Sequence, residues 1–199
     1  LLNMLWDHRP GRNRFAGIVL QEYSVPERRL IGERRNIFTG TAIGFTEGPH
    51  VYRRDGYYHL LTAEGGTGWG HAVTMARSRR LEGPYEVDPI KHIVTSKDDP
   101  RLPLQRAGHG DWVETQKGEI YIVHLCGRPL SLHSDSDLQR CPLGRETSIQ
   151  KADWSGDGWL RLANGSNTPD LETPAPDLPP HPWPEAPTMT RFDTERLPI

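Results

Sequence analysis

Long apolar runs are missing from this 199-residue chain: none approaches the 18 residues that a membrane-spanning helix requires. Unbroken stretches of any kind are short. Glycine and proline supply 38 residues, and the longest segments free of both are 12 residues, at 71–82 and 130–141. A helical bundle needs longer runs than that, so an all-α fold is set aside. Cysteine is scarce. Cys126 and Cys141 cannot build a disulfide scaffold, and free thiols are the expectation. Charge of one sign is lacking too: 24 Lys and Arg oppose 26 Asp and Glu, a net of −2. No broad basic field exists to draw in nucleic acid or an anionic membrane. Collagen-like, disulfide-rich and fully disordered classes fall away with these counts.

What is present is aromatic and turn-rich. Only 35% of residues are hydrophobic, but six Trp and six Tyr are enough for a thin aromatic core. Arginine pairs recur at Arg28-Arg29, Arg34-Arg35, Arg53-Arg54 and Arg79-Arg80. A phosphate-binding stripe is one reading; solvated hairpin tips and strand ends are the reading preferred. The opening Leu1-Leu2-Asn3 has neither an initiator Met nor a signal peptide and reads as the middle of a strand. The chain is expected to be a fragment, cytoplasmic rather than secreted.

Short strands separated by turn signals run from Leu1 to Leu162. GIVLQEY (17–23) is a strand by its β-branched content. Val51-Tyr52, then 53–56, then YYHLLT (57–62) predicts a hairpin, with Asp55-Gly56 supplying the positive φ of the turn. Residues 112–115, 116–119 and IYIVHL (120–125) repeat the device, and 147–154, 155–158 and 159–162 repeat it again. AVTMAR (72–77) is open to one helical turn or a strand, and the alternation of Val73 and Met75 against Thr74 favours the strand. The Asp-Gly and Lys-Gly turns lie 62 residues apart, as do Glu47 and His109. Four-stranded sheets recurring at such a period are the signature of propeller blades, whose first strands point at one axis. The blades are expected at about 46–96 and 107–162, with part of an earlier one at 1–40. A β-sandwich is the competitor, but it leaves the equivalent placement of chemically loaded residues unexplained. Nine of the 18 prolines fall between Pro169 and Pro198, which predicts a linker or tail.

Several lookalikes carry little. Gly66-Thr67-Gly68-Trp69-Gly70 precedes a strand rather than a helix, against a nucleotide loop. Asp135 and Asp137 lack the Gly and distal Glu of a calcium loop, and Asn164-Gly165-Ser166 matches a glycosylation tripeptide that is common by chance. The nine His show no metal spacing, and there is no Gly-x-Ser-x-Gly elbow. What remains is Thr46-Glu47-Gly48-Pro49-His50, Ala107-Gly108-His109-Gly110 and Cys141–Thr147, each placing an ionisable residue among small residues or proline at a strand mouth. Small neighbours let a ligand approach the backbone. A carboxylate with no basic neighbour in sequence, once desolvated, keeps its proton to higher pH and suits general-acid work.

The stretches TEGPHVYRRDGYYHLLTAEGGT (46–67), MARSRRLEGPYEVDP (75–89), PLQRAGH (103–109) and CPLGRETSIQ (141–150) closely resemble glycoside hydrolase family 43. The bacterial β-xylosidase branch matches best, and LLNMLWDHR (1–9) and GIVLQEYS (17–24) also fit. The resemblance covers about residues 1–165. It implies an all-β fold, part of a five-bladed β-propeller (about two and a half blades), with 166–199 a Pro-rich linker toward an absent β-sandwich. It implies an inverting exo-glycosidase acting on xylo-oligosaccharides (a β-1,4-xylosidase), with Glu47 as general acid and two partner aspartates upstream of residue 1. It implies that Thr67, His109 and Arg145 line the pocket of the terminal sugar, and that Glu64 lies near it and contributes to substrate binding. No metal ligand and no organic cofactor are expected; the place for a structural ion or water, by resemblance, is near His109. One departure is the tripeptide Trp69-Gly70-His71, less polar than the family's, which bears on the leaving-sugar side. The expected partners are xylo-oligosaccharides or arabinosylated xylan fragments, with no nucleic acid and no membrane, and the full-length parent is open to homo-oligomerisation. Two rivals stay open: an α-L-arabinofuranosidase of the same family, and a non-catalytic carbohydrate-binding propeller.

Overall fold

Turn chemistry sets the hairpins. The computed structural model describes residues 1–130 and 139–182 and contains eleven strands among them. β4 (Glu47–Arg54) and β5 (Tyr57–Glu64) are joined by Asp55 at φ 49° and Gly56 at φ 78°, both in the left-handed region that a two-residue hairpin of right-handed twist demands. β8 (Gln105–Glu114) meets β9 (Ile120–Gly127), and β10 (Glu146–Trp154) meets β11 (Leu160–Leu162). These two hairpins use a wider loop, closed by Thr115 N–H to the Glu119 carbonyl and by Ser155 N–H to the Trp159 carbonyl, with Gly118 and Gly158 at φ 78°. The Asp-Gly and Lys-Gly turns are therefore of different kinds. Across the two first strands, the residues that meet are Tyr52 with Trp112 and Arg54 with Glu114, 60 apart rather than 62.

The strands form three antiparallel sheets. β1 (Leu2–Trp6), β2 (Phe15–Ser24) and β3 (Arg29–Phe38) make the first. β4, β5, β6 (Ala72–Ser78) and β7 (Glu86–Thr95) make the second, and β8 to β11 the third. The first strand of each later sheet packs across the sheet before it: β4 against β1 and β2, β8 against β5, β6 and β7. This repeated relation is propeller-like and excludes two sheets facing each other as a sandwich. Two apolar layers fill the gaps. Ile18, Ile37 and Phe38 pack on Leu60 and Ala76 between the first two sheets. Leu61, Val73, Met75 and Ile93 pack on Ile122, Ala152, Trp159 and Leu160 between the second and third. β6 is buried along nearly its whole length because it is covered on both faces, so that even its polar Thr74 and Ser78 are buried. Polar staples reinforce the second gap. Arg161 grips the fully buried Asp88 carboxylate through two nitrogens at 2.5 and 3.0 Å. The Tyr52 hydroxyl donates to Asp111 at 2.7–2.8 Å.

The segment expected as a linker begins as a strap. Asn167 bonds the backbone of Thr95 and His92, and the Gln150 side chain exchanges two hydrogen bonds with the backbone of Asp170. Thr173 Oγ1 accepts from Lys151 N–H, the Pro174 carbonyl accepts from Tyr121, and Asp177 N–H donates to Glu119. The reason lies in β11, which pairs only with 152–154 and leaves the rest of β10 open for another chain segment to cover. Residues 183–199 of that segment, and the Asp135–Asp137 pair, lie outside the described residues. Cys126 and Cys141 are both free.

Candidate active site

Antiparallel order puts the long loops at one end of the sheets and the tight hairpins at the other. The start of β4, the loop 65–71 between β5 and β6, the start of β8 and the loop before β10 all share the first end. Glu47, Thr67, His109 and Arg145 sit on these four places.

Both first strands are irregular where the site forms. The β4 ladder breaks between Glu47 and His50, where Pro49 has no N–H to give and Gly48 adopts φ 55°. The β8 ladder breaks twice between Gln105 and Asp111, with Arg106 at φ 55° and His109 at φ 50°. Such bulges re-aim side chains at sheet ends. Here they bring the His109 ring onto the backbone beside Glu47. A methyl group on Gly48 would stand 2.7 Å from His109 Nε2, so only glycine admits the ring there.

His71, which the sequence reading noted only as part of an unusual tripeptide, organises the next layer. Its ring meets His109 edge-on at 6.4 Å, and its Nδ1–H donates to the Arg106 carbonyl at 3.2 Å. Nε2 is then bare, buried and without a partner. Burial is the main force that drives the His71 pKa down to about 4, working against the hydrogen bond to the Arg106 carbonyl, and the charge of Arg145 pushes it down further. Arg145 thus acts electrostatically on the same cluster. The imidazole is neutral in the folded protein down to pH of about 4 and titrates normally once unfolded. As pH falls from about 6.5 toward 4, the unfolded state takes up the proton first and stability drops, by on the order of 3 kcal/mol from this residue. Urea unfolding at pH 7.5 and 4.5 should reveal that loss, and His71→Gln should make the dependence shallower, leaving the part due to His59, His92 and His124, which burial pushes the same way. An unchanged slope in the variant would remove His71 as its source.

Glu64 sits elsewhere than at an open sugar surface. It is completely buried at the end of β5, and four donors saturate its oxygens. Thr41 N–H and Thr46 Oγ1 reach Oε1 at 2.7 Å, while Thr41 and Thr74 hydroxyls reach Oε2 at 2.6 and 2.7 Å. With both oxygens engaged, this carboxylate clamps the loop 41–46 that leads directly into Glu47. His92 Nδ1 lies 2.9 Å from the Thr74 hydroxyl; since that hydroxyl gives its proton to Glu64, His92 is the donor. Thr67 is exposed at the tip of the loop 65–71. That loop is tied to the approach of Glu47 by Gly65 N–H to the Gly44 carbonyl at 2.8 Å, and the Phe45 ring lies against Gly66. Phe45 continues through Phe15 to Trp6 in edge-to-face contacts of 5.0 and 4.8 Å, a row of partly exposed rings at the same end. Among the described residues, no three His, Cys, Asp or Glu side chains are grouped to hold a metal ion.

A family model described as glycosyl hydrolases family 43 matches residues 1–160. The chain belongs to that family. It is 57% identical over 164 residues to the xylosidase/arabinosidase 43B of Humicola insolens, covering 82% of this chain and 30% of that protein. It is 52% identical to the β-xylosidase of Bacillus subtilis strain 168, covering 90% of this chain and 34% of that one. The solved xylan β-1,4-xylosidase from Bacillus halodurans C-125 superposes with a TM-score of 0.86 at 56% identity, over 94% of this chain and 34% of that one. The chain therefore spans about a third of the length of these family 43 relatives.

Proposed function

We propose that this chain is part of an inverting, exo-acting β-1,4-xylosidase, and that Glu47 is its general acid. The observation that carries the reading is the contact of His109 with Gly48. It supports a shared site built from the mouths of two blades, at the place where the family resemblance puts the acid. Glu47 protonates the glycosidic oxygen while a carboxylate from outside this chain activates water on the opposite face of the sugar. Inverting pairs stand roughly 6.5–9.5 Å apart to admit that water. Arg145, with its fixed fork of donors, holds hydroxyls of the terminal sugar, and Thr67 lines the rim. His109 packs the floor. Glu64 acts by holding the Glu47 loop rather than by touching sugar. No organic cofactor takes part. The three sheets form about two and a half blades of a five-bladed propeller, and the Pro-rich segment leads on to a further domain.

An α-L-arabinofuranosidase is the second reading, favoured by the name of the Humicola insolens relative, which carries both sugars. Release of 4-nitrophenol by the full-length protein from the β-xyloside and from the α-arabinofuranoside separates the two, and a clear arabinoside preference overturns the first. The 199-residue chain alone should hydrolyse neither, because acid and base must act together. Robust Glu47-dependent turnover by this chain would place a base within residues 1–199.

A further inference from the structure

Arg106 is an arginine with no ion pair among the described residues, placed at the rim of the candidate site. Its guanidinium carbon stands over the Trp69 indole, 4.2 Å from the ring centroid. Nε is buried with no hydrogen-bond partner. Among the described residues the terminal nitrogens have no hydrogen-bond partner and, unlike Nε, they reach the surface. Its backbone is turned to φ 55°, which hands the carbonyl to His71 and lays the side chain over the loop 65–71. Strained residues of this kind gather at ligand clamps.

The place of the pair decides what it can bind. Trp69 and exposed Thr67 share one loop, and that loop is tied to the approach of Glu47 through Gly65 and Gly44. In the reading proposed above the terminal sugar lies inward of Glu47, which directs the saccharide beyond the cleaved bond outward over this rim. A guanidinium stacked on an indole has its faces occupied and its in-plane N–H edges free. Those edges suit pairs of adjacent sugar hydroxyls. We propose that Arg106, braced on Trp69, is the residue that binds the leaving xylosyl unit of an oligosaccharide substrate. The proposal rests on the xylosidase reading above.

The test compares two substrates of the full-length protein: xylobiose, whose leaving group is a sugar, and β-xylosyl fluoride, whose leaving group does not reach the rim. Arg106→Met keeps the stem on Trp69 and removes every donor. The ratio of kcat/KM for xylobiose to that for the fluoride should fall roughly tenfold or more, the scale of a lost hydrogen bond to a charged group. Trp69→Leu removes the brace from an exposed loop without touching β8, should shift the ratio the same way, and decides the question if the arginine variant does not fold. An equal fall on both substrates, or an unchanged ratio, overturns the assignment and makes Arg106 a structural residue. A native protein that cleaves neither substrate overturns the xylosidase reading itself, which is a distinguishable result.

Discussion

Glu47→Gln in the full-length protein is expected to lower kcat for xylobiose by about 10²–10⁴-fold, the range of a general-acid contribution. Glutamine keeps the size of the side chain and can still donate a hydrogen bond, but it has no proton to surrender to the departing oxygen. The loss should therefore scale with the need for that proton. An aryl xyloside with an acidic leaving group departs with little help and should suffer much less than xylobiose, while KM changes little for either. The fold gives no reason for the variant to misfold. Glu47 stands where the β4 ladder is already broken, and none of the staples between the sheets passes through it. Steady-state kinetics on the two substrates is the measurement. Equal losses on both would show that Glu47 positions substrate and that the acid lies elsewhere.

Glu64→Ala should be the most destabilising single change in this part of the molecule. It strands one backbone N–H and three threonine hydroxyls around a completely buried site. Leaving buried donors unmet and opening a small void together cost about 3–5 kcal/mol. For a unit of this size that corresponds to a Tm lower by roughly 6–20 °C. Glu64→Gln should be milder, because its amide oxygen still accepts on one side and hydroxyls can turn to accept on the other. In the full-length protein activity should fall in both variants even at temperatures where they remain folded, since Thr46 precedes Glu47 and loses its anchor. Thermal unfolding with kinetics at low temperature tests both claims. A Tm within a degree or two of the native value would show that water replaces the carboxylate and that the clamp is dispensable.

Whatever is settled within a few residues is legible in the sequence. Asp55-Gly56, Gly118 and Gly158 fix positive φ at three turns, and from those turns the strands, the sheet period and the strand-mouth places of Glu47, His109 and Arg145 follow. It read the two first hairpins as equivalent at a spacing of 62, because Asp-Gly and Lys-Gly look alike, although one closes a narrower loop than the other. The rest arises from packing between the sheets. That Glu64 is saturated by Thr41, Thr46 and Thr74 depends on β5, β6 and the preceding loop converging, and nothing in TAEGGT announces it. His71 is held by a carbonyl from another sheet, and Arg106 finds Trp69 across the same gap. Residues 166–177 follow β10 and β9 because β11 stops short and leaves an edge open, whereas their proline content alone reads as a linker. Turn geometry is written in φ preferences of single residues; contacts between separate sheets arise only when packing brings distant side chains together, and they leave no local trace in the sequence.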